Sequence, residues 1–317
     1  MKDGVWRLVV ALFTIHGLLP PGLASNNRPG GRDLNSSFTV KVTPGDTGCA
    51  SVSVAVSDVP CGRQWRRSGR IVGGESTSPG EFPWLVSITR RGGHFCGGTL
   101  LNKRWPSAGL TPKCVCRSGP VQLPAELIRV TVGEHDLSSG ENPAAHEVRV
   151  RKMLLHPEYK CTRFLNDIAL LELDSEVTWS EAVWPACLPN GFSTYSNKEA
   201  IAAGWGWLQE SSSKGGRADV LQKVKVQVVD NDKCREWYQL EGKKIKIHDS
   251  QMCAGDETGG RDSCWADSGG PLMVGDGDQV MVVGIISTGI GCARPRLPGL
   301  YTRISDFILW IEEHVNK

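Results

Sequence analysis

The nine residues Val280–Thr288, VMVVGIIST, follow the turn VGDGD at Val274–Asp278. A short apolar run, rich in β-branched residues and bounded by Gly and Asp, reads as a β-strand. The same pattern recurs upstream in WLVSI (Trp84–Ile88), IRVTVG (Ile128–Gly133), EVRVRKML (Glu147–Leu154), DIALLEL (Asp167–Leu173) and KVKVQVV (Lys223–Val229). Turn-forming stretches separate these runs: TRRGGH at Thr89–His94, SSGENP at Ser138–Pro143 and LPNG at Leu188–Gly191. Many short strands with Gly and Pro turns predict an all-β barrel or sandwich from Ile71 onward. The tail SDFILWIEEHVN, Ser305–Asn316, reads as the one clear helix. In it Phe307, Ile308, Ile311 and Val315 share a face behind a Ser305 or Asp306 cap. No internal repeat is evident.

The chain has 317 residues, 40% of them hydrophobic, and a net charge of +2. That length is enough for one large or two small cores. The near-balanced charge implies neither nucleic acid nor a membrane surface as a partner. Residues 1–24 read as a signal peptide: Lys2 and Arg7, an apolar run from Leu8 to Leu19, then small residues ahead of a cleavage site after Ala24. The run is interrupted by His16 and stops at Pro20, short of the ~20 apolar residues that a membrane span needs. Eleven cysteines suit a secreted, disulfide-bonded protein. Their odd number leaves at least one without an intrachain partner. No Cys-x-x-Cys pattern with histidine partners points to structural zinc. Residues 25–70 are rich in Asn, Ser, Gly, Pro and Arg and read as a pro-segment or linker. Asn35 heads the glycosylation sequon NSS.

The strongest chemical signal is RDSCWADSGGPL, Arg261–Leu272. Ser268 stands between an acid and two glycines. A tight loop of that kind exposes a nucleophilic hydroxyl and turns nearby backbone N–H groups toward a developing oxyanion.

With the segments that flank it, this motif resembles the trypsin-like serine proteases of the chymotrypsin fold. RIVGGESTSPGEFPWLVSI (Arg70–Ile88) resembles their activation site. HFCGGTLLNKRW (His94–Trp105) resembles the strands that lead to the catalytic histidine. NDIALLELD (Asn166–Asp174) resembles the segment of the catalytic aspartate, and WPACLP (Trp184–Pro189) the linker between barrels. AGWG (Ala203–Gly206), MCAGDETGGRDSC (Met252–Cys264), DSGGPL (Asp267–Leu272) and GIGCARPRLPGLYTRIS (Gly289–Ser305) follow in the family's order. The resemblance spans residues 71–317. It implies two six-stranded antiparallel β-barrels, an active site in the cleft between them and a C-terminal helix.

It also implies roles. Ser268 matches the nucleophile and Asp167 the acid that orients the base. Ala266 and Ser268 supply the oxyanion N–H groups. Asp262 matches the floor of a pocket for a substrate arginine or lysine, with Ser287, Gly289 and Gly299 lining it. Cleavage after Arg70 would free the ammonium of Ile71 to pair with Asp267, and the basic run RRSGR (Arg66–Arg70) suits a trypsin-like activating protease. The implied disulfides are Cys61–Cys187, Cys96–Cys114, Cys116–Cys161, Cys234–Cys253 and Cys264–Cys292, with Cys49 left over. The implied partners are protein substrates or inhibitors bearing Arg or Lys, and an upstream activator. No cofactor or metal is implied: Glu134 and Glu141 lie where some relatives bind calcium, but GEHDLSSGENPAAHE (Gly133–Glu147) does not match that loop.

The pattern breaks at GLTPKC, Gly109–Cys114, where Lys113 stands in place of the histidine. Lysine is protonated at neutral pH unless strongly desolvated, and a general base must be neutral. Ala266 replaces the glycine of the oxyanion hole, and Thr288 stands where tryptophan is common. Two readings stay open. One is a secreted pseudoprotease that binds partners through the old cleft. The other is an endopeptidase whose stretch Pro106–Lys113 reflects a misplaced exon boundary. A purely structural secreted β-protein is a third and weaker reading.

Overall fold

The computed structural model describes residues 53–54, 57–65, 75–105, 112–115, 123–139, 145–159, 164–208, 216–260 and 267–315. All of them fall within one unit, residues 49–317. The strands in chain order are β1 Ser53–Val54, β2 Glu75–Ser76, β3 Leu85–Arg90, β4 Gly93–Thr99, β5 Ile128–Val132, β6 His146–Leu155, β7 Ala169–Leu173, β8 Leu188–Pro189, β9 Glu199–Gly204, β10 Gln222–Val229, β11 Gln251–Ala254, β12 Pro271–Val274, β13 Met281–Thr288 and β14 Gly299–Arg303. Among the described residues three α-helices accompany them: α1 Pro112–Val115, α2 Asn231–Leu240 and α3 Ile308–Val315.

The second half of the chain makes a closed six-stranded barrel. Its order is β11-β14-β13-β12-β9-β10, and β10 pairs back onto β11 through Val228↔Ala254 and Val229↔Cys253. The strand predicted from VMVVGIIST is β13, buried from Met281 to Ser287. The first half forms an antiparallel sheet of order β4-β3-β5-β6-β7. Beyond β4 the chain bends round to meet its far edge: Leu173 N–H donates to the Arg104 carbonyl at 2.8 Å, and Val177 N–H to Lys103 at 2.9 Å. Among the described residues this half has five strands rather than six, and these two bonds close the ring in place of a sixth. β5, IRVTV, alternates buried and half-buried residues, so Ile128, Val130 and Val132 point inward. One apolar core joins these side chains to Val282, Ile285 and Ile311 from the second half, around the fully buried Trp84 and Trp205.

The tail folds as the helical pattern predicts. Phe307, Ile311 and Val315 are buried, Ile308 is half-buried and Leu309 points outward. It begins with a 3₁₀ turn at Ile304–Asp306 rather than with a side-chain cap. A second helix, α2, was not read from the sequence. Asp230 caps it by accepting from Asp232 N–H at 2.8 Å. Cys234, Trp237 and Tyr238, spaced at i, i+3 and i+4, bury its inner face. At ten residues it is too short for periodicity to stand out from the strands around it. Residues 57–65, within the stretch read as a linker, are packed against the domain, and Cys61 is buried.

The alternating KVKV of β10 hides an exception. Lys223 is buried and pairs with Glu81 at 2.5 Å and Glu75 at 3.3 Å, which fastens β2 to β10. Glu81 is only 4% exposed, so removing the ammonium strands a carboxylate out of water. Lys223→Met is expected to lower stability to urea by about 3–5 kcal/mol. Adding Glu81→Gln should restore part of that loss; urea titrations of the single and double variants measure both.

Candidate active site

Asp167 lies just ahead of β7 and is fully buried. Burying an ionisable carboxyl is tolerated only with hydrogen-bond partners. Its Oδ2 accepts from Ser287 Oγ at 2.5 Å, and its backbone carbonyl accepts from Thr302 Oγ1 at 2.9 Å. Ser287 is on β13 and Thr302 on β14, so both bonds cross from one half of the fold to the other. Asn166, the preceding residue, has φ 53°, a left-handed turn that asparagine tolerates well. Burial, and after it the Asp167 charge, push the Tyr159 phenol well above its ordinary range.

The loop of Ser268 is a turn built around two glycines. Gly270 N–H donates to the Asp267 carbonyl at 2.8 Å, and Gly269 N–H to Ile286 at 2.9 Å. Gly269 has φ +88°, and a Cβ on Gly270 would fall 2.8 Å from the Ala203 carbonyl. These constraints account for the Ser-Gly-Gly order. The Ser268 carbonyl accepts from Gly97 N–H on β4 at 3.0 Å, a further bond between the halves. Because Ile286 and Ser287 are neighbours, one strand end holds both the turn of Ser268 and the carboxylate of Asp167.

Cys114 bonds to Cys96, and its Sγ lies 3.7 Å from the Ser268 carbonyl oxygen. A disulfide sulfur has no proton to donate, so this is a packing contact. It sets α1, whose backbone includes Lys113, against the loop of Ser268. The Lys113 side chain lies outside what is described, as do Arg70, Ile71, Asp262 and Ala266.

Asp267 lies against two bare backbones. Its Oδ1 accepts from Gly206 N–H at 2.7 Å, and a Cβ on Gly204 or Gly206 would fall 2.3–2.4 Å from its carboxylate. Arg217 donates from Nη1 to the His94 carbonyl at 2.6 Å. Burial pulls its pKa down, while the charges of Asp267 and Asp219 oppose that shift. Gly289 and Gly299 are neighbours, since a Cβ on Gly289 would sit 3.8 Å from Gly299 Cα.

Several histidines are engaged elsewhere. His94 Nδ1 meets Ser87 Oγ at 2.7 Å, with its ring edge-on to Trp205. His135 donates from Nε2 to the Thr77 carbonyl. His156 packs between Phe307 and Trp310, and burial holds its pKa below the usual imidazole value. His314 donates to the Trp310 carbonyl. Disulfides join Cys61 to Cys187, Cys96 to Cys114 and Cys234 to Cys253. Cys292 is disulfide-bonded as well, whereas Cys49, Cys116, Cys161 and Cys264, and the sequon at Asn35, lie outside the described residues. The supporting roles of Gly97 and Thr302 carry no local sequence signal.

A closed barrel, a second β-ring hydrogen-bonded to it and a C-terminal helix define the chymotrypsin fold of serine proteases. The trypsin family profile matches residues 71–311, and the chain belongs to the trypsin-like serine protease family. It is similar to serine proteinase stubble of Drosophila melanogaster, with 40% identity over 274 residues, 84% of this chain and 33% of that protein. Transmembrane protease serine 9 of Rattus norvegicus is 37% identical over 257 residues, 80% of this chain and 23% of its own. Serine protease filzig of Drosophila melanogaster is 34% identical over 298 residues, 91% of this chain and 17% of its own. The chain therefore spans a third or less of the length of these relatives. Its disulfides are of the kind that persist in oxidising compartments. Among the described residues, no helix is long and apolar enough to cross a membrane.

The Ser287–Asp167 bond makes a direct prediction. Ser287→Ala should cost about 1–3 kcal/mol, because it strips a buried carboxyl of a donor. In an Asp167→Asn background the same change should cost less, since the two sites share one interaction. A double-mutant cycle from chemical denaturation reads the coupling.

Proposed function

We propose that the protein is a secreted, trypsin-like member of its family, made as a zymogen that is cut after Arg70, with a pocket for arginine or lysine. In this reading Ser268 is the nucleophile and Asp167 the acid that orients a base. Ala266 and Ser268 supply the oxyanion N–H groups, and Asp262, Ser287, Gly289 and Gly299 form the specificity pocket. Asp267 receives the ammonium of Ile71. The observation that carries the reading is the set of bonds between the halves of the fold. Ser287 holds Asp167, and Gly97 holds the Ser268 carbonyl, so acid and nucleophile loop are fixed to the same seam. Adjacent Gly289 and Gly299 leave room for a long side chain, and the bare faces of Gly204 and Gly206 make space for the Asp267 carboxylate.

Proton transfer is the missing part. Lys113 takes the histidine's place, and a protonated ammonium cannot accept the Ser268 proton. Loss of the base from such a triad costs roughly 10⁶-fold in turnover. That substitution favours a second reading, in which the domain is a binding or regulatory module of an extracellular proteolytic cascade. Both readings keep the pocket.

Two outcomes test these readings. After trypsin has generated an Ile71 terminus, verified by N-terminal sequencing, benzamidine should bind in calorimetry and Asp262→Ser should abolish the binding. Equal affinity in the variant would remove the pocket assignment. The cut chain should hydrolyse arginyl peptides barely above background. Restoring Thr-Ala-Ala-His-Cys ahead of Val115 should recover activity, and Ala266→Gly should raise it further, by up to ~10²–10³-fold. Robust Ser268-dependent hydrolysis by the unrepaired chain would overturn the missing-base argument. An inactive repaired chain would favour the binding module.

A further inference from the structure

The segment Ser57–Trp65 is read from sequence as part of a loose linker, yet it is bonded along its length. The Asp58 carboxylate accepts from Trp179 Nε1 at 3.0 Å and pairs with Lys103 Nζ at 2.8 Å. The Pro60 carbonyl accepts from Trp184 Nε1 at 2.7 Å. Gly62 donates to the Pro185 carbonyl at 2.8 Å and accepts from Val280 N–H at 3.0 Å. Gln64 N–H donates to the Gly277 carbonyl at 2.9 Å, and Gly277 N–H returns a bond to Gln64 Oε1 at 3.2 Å. Trp65 packs edge-on to Trp184, with ring centroids 5.7 Å apart, and the Arg63 guanidinium lies 3.9 Å from the Trp65 ring centre. Upstream, Ser53 and Val54 pair with Pro189 and Leu188.

These partners belong to different parts of the fold. Lys103 follows β4 of the first half, Trp179, Trp184 and Pro185 lie on the connection between the halves, and Gly277 and Val280 flank the turn between β12 and β13. The fit also depends on glycine: at Gly62, with φ +72°, a Cβ would fall 2.4 Å from the Val280 carbonyl and 2.8 Å from Cys187 Sγ. A disulfide alone requires none of this.

We propose that residues 57–65 are a docked strap that keeps the N-terminal piece on the domain after the chain is cut beyond Trp65, without help from the Cys61–Cys187 bond. The exposed Asp58–Lys103 ion pair contributes little by itself. The backbone bonds at Gly62 and Gln64 and the contact between the half-buried Trp65 and Trp184 carry the attachment, and tryptophan is the kind of side chain that dominates such surfaces. The strap shares the expectation of a cut near Arg70 but does not depend on where the natural cut falls.

The test makes the cut artificially. Residues 66–70 are replaced by the recognition sequence of a site-specific viral protease, in a Cys61→Ser/Cys187→Ser chain. After cleavage at micromolar concentration, both pieces should co-elute in gel filtration and appear as one complex in native mass spectrometry. Asp58→Ala with Trp65→Ala should weaken the complex by at least about tenfold. A fragment that leaves with the strap intact overturns the proposal, and so does one that stays equally well without Asp58 and Trp65. A second measurement uses the uncut chain with both cysteines and so needs no disulfide-free folding. There, Asp58→Ala/Trp65→Ala should speed hydrogen exchange at the amides of Gly62, Gln64, Gly277 and Val280. Unchanged exchange at all four counts against the strap. Because Arg70 is absent from the cut, failure here leaves the Arg70 activation reading untouched, and failure of that reading leaves the strap standing.

Discussion

The hydrogen bond from Ser287 to the buried carboxyl of Asp167 ties the architecture to the site. A carboxyl with no exposed surface is costly without donors. One donor comes from the opposite half of the fold, so this bond forms only when the two halves are in register. Thr302 holds the Asp167 backbone from the next strand, and Gly97 reaches back to the Ser268 carbonyl. Trp84 adds a fourth link, its indole N–H directed at Met273 Sδ at 3.2 Å. Registering the halves and assembling the site are therefore one event. Disturbing Asp167 should loosen packing as well as chemistry.

Two levels of the structure were legible in the sequence for different reasons. β13, β5 and β7 were visible because a buried strand leaves an apolar, β-branched run with turn residues at its ends. The turn of Ser268 was visible because its geometry favours glycine at Gly269 and Gly270, which leaves a composition signature. α2 was not visible, because ten residues with three buried positions resemble the strands beside them. The docking of residues 57–65 was hidden for another reason. Its bonds run mainly through backbone groups and two indole N–H donors, and backbone hydrogen bonding leaves no mark on apolar content. The buried Lys223 was hidden because its neutralising partners, Glu75 and Glu81, lie more than 140 positions upstream.

The relation between the site's scaffold and its chemistry follows from which groups each requires. The scaffold needs small residues where backbones approach closely: Gly97 against Gly270, Gly204 and Gly206 against Asp267, Gly62 against Val280. It needs hydroxyl donors where the Asp167 carboxyl is buried. None of these requirements involves a proton acceptor. A lysine at position 113 is therefore compatible with the turn of Ser268, the bonding of Asp167 and the Cys96–Cys114 link, and in the proposed reading it removes only the group that would take the serine proton. In the proposed reading, binding and catalysis are separable on physical grounds: a pocket for Arg or Lys depends on shape and fixed charge, and turnover on a neutral base. On that reading, a fold that keeps the first without the second would still offer a specific cleft to a partner.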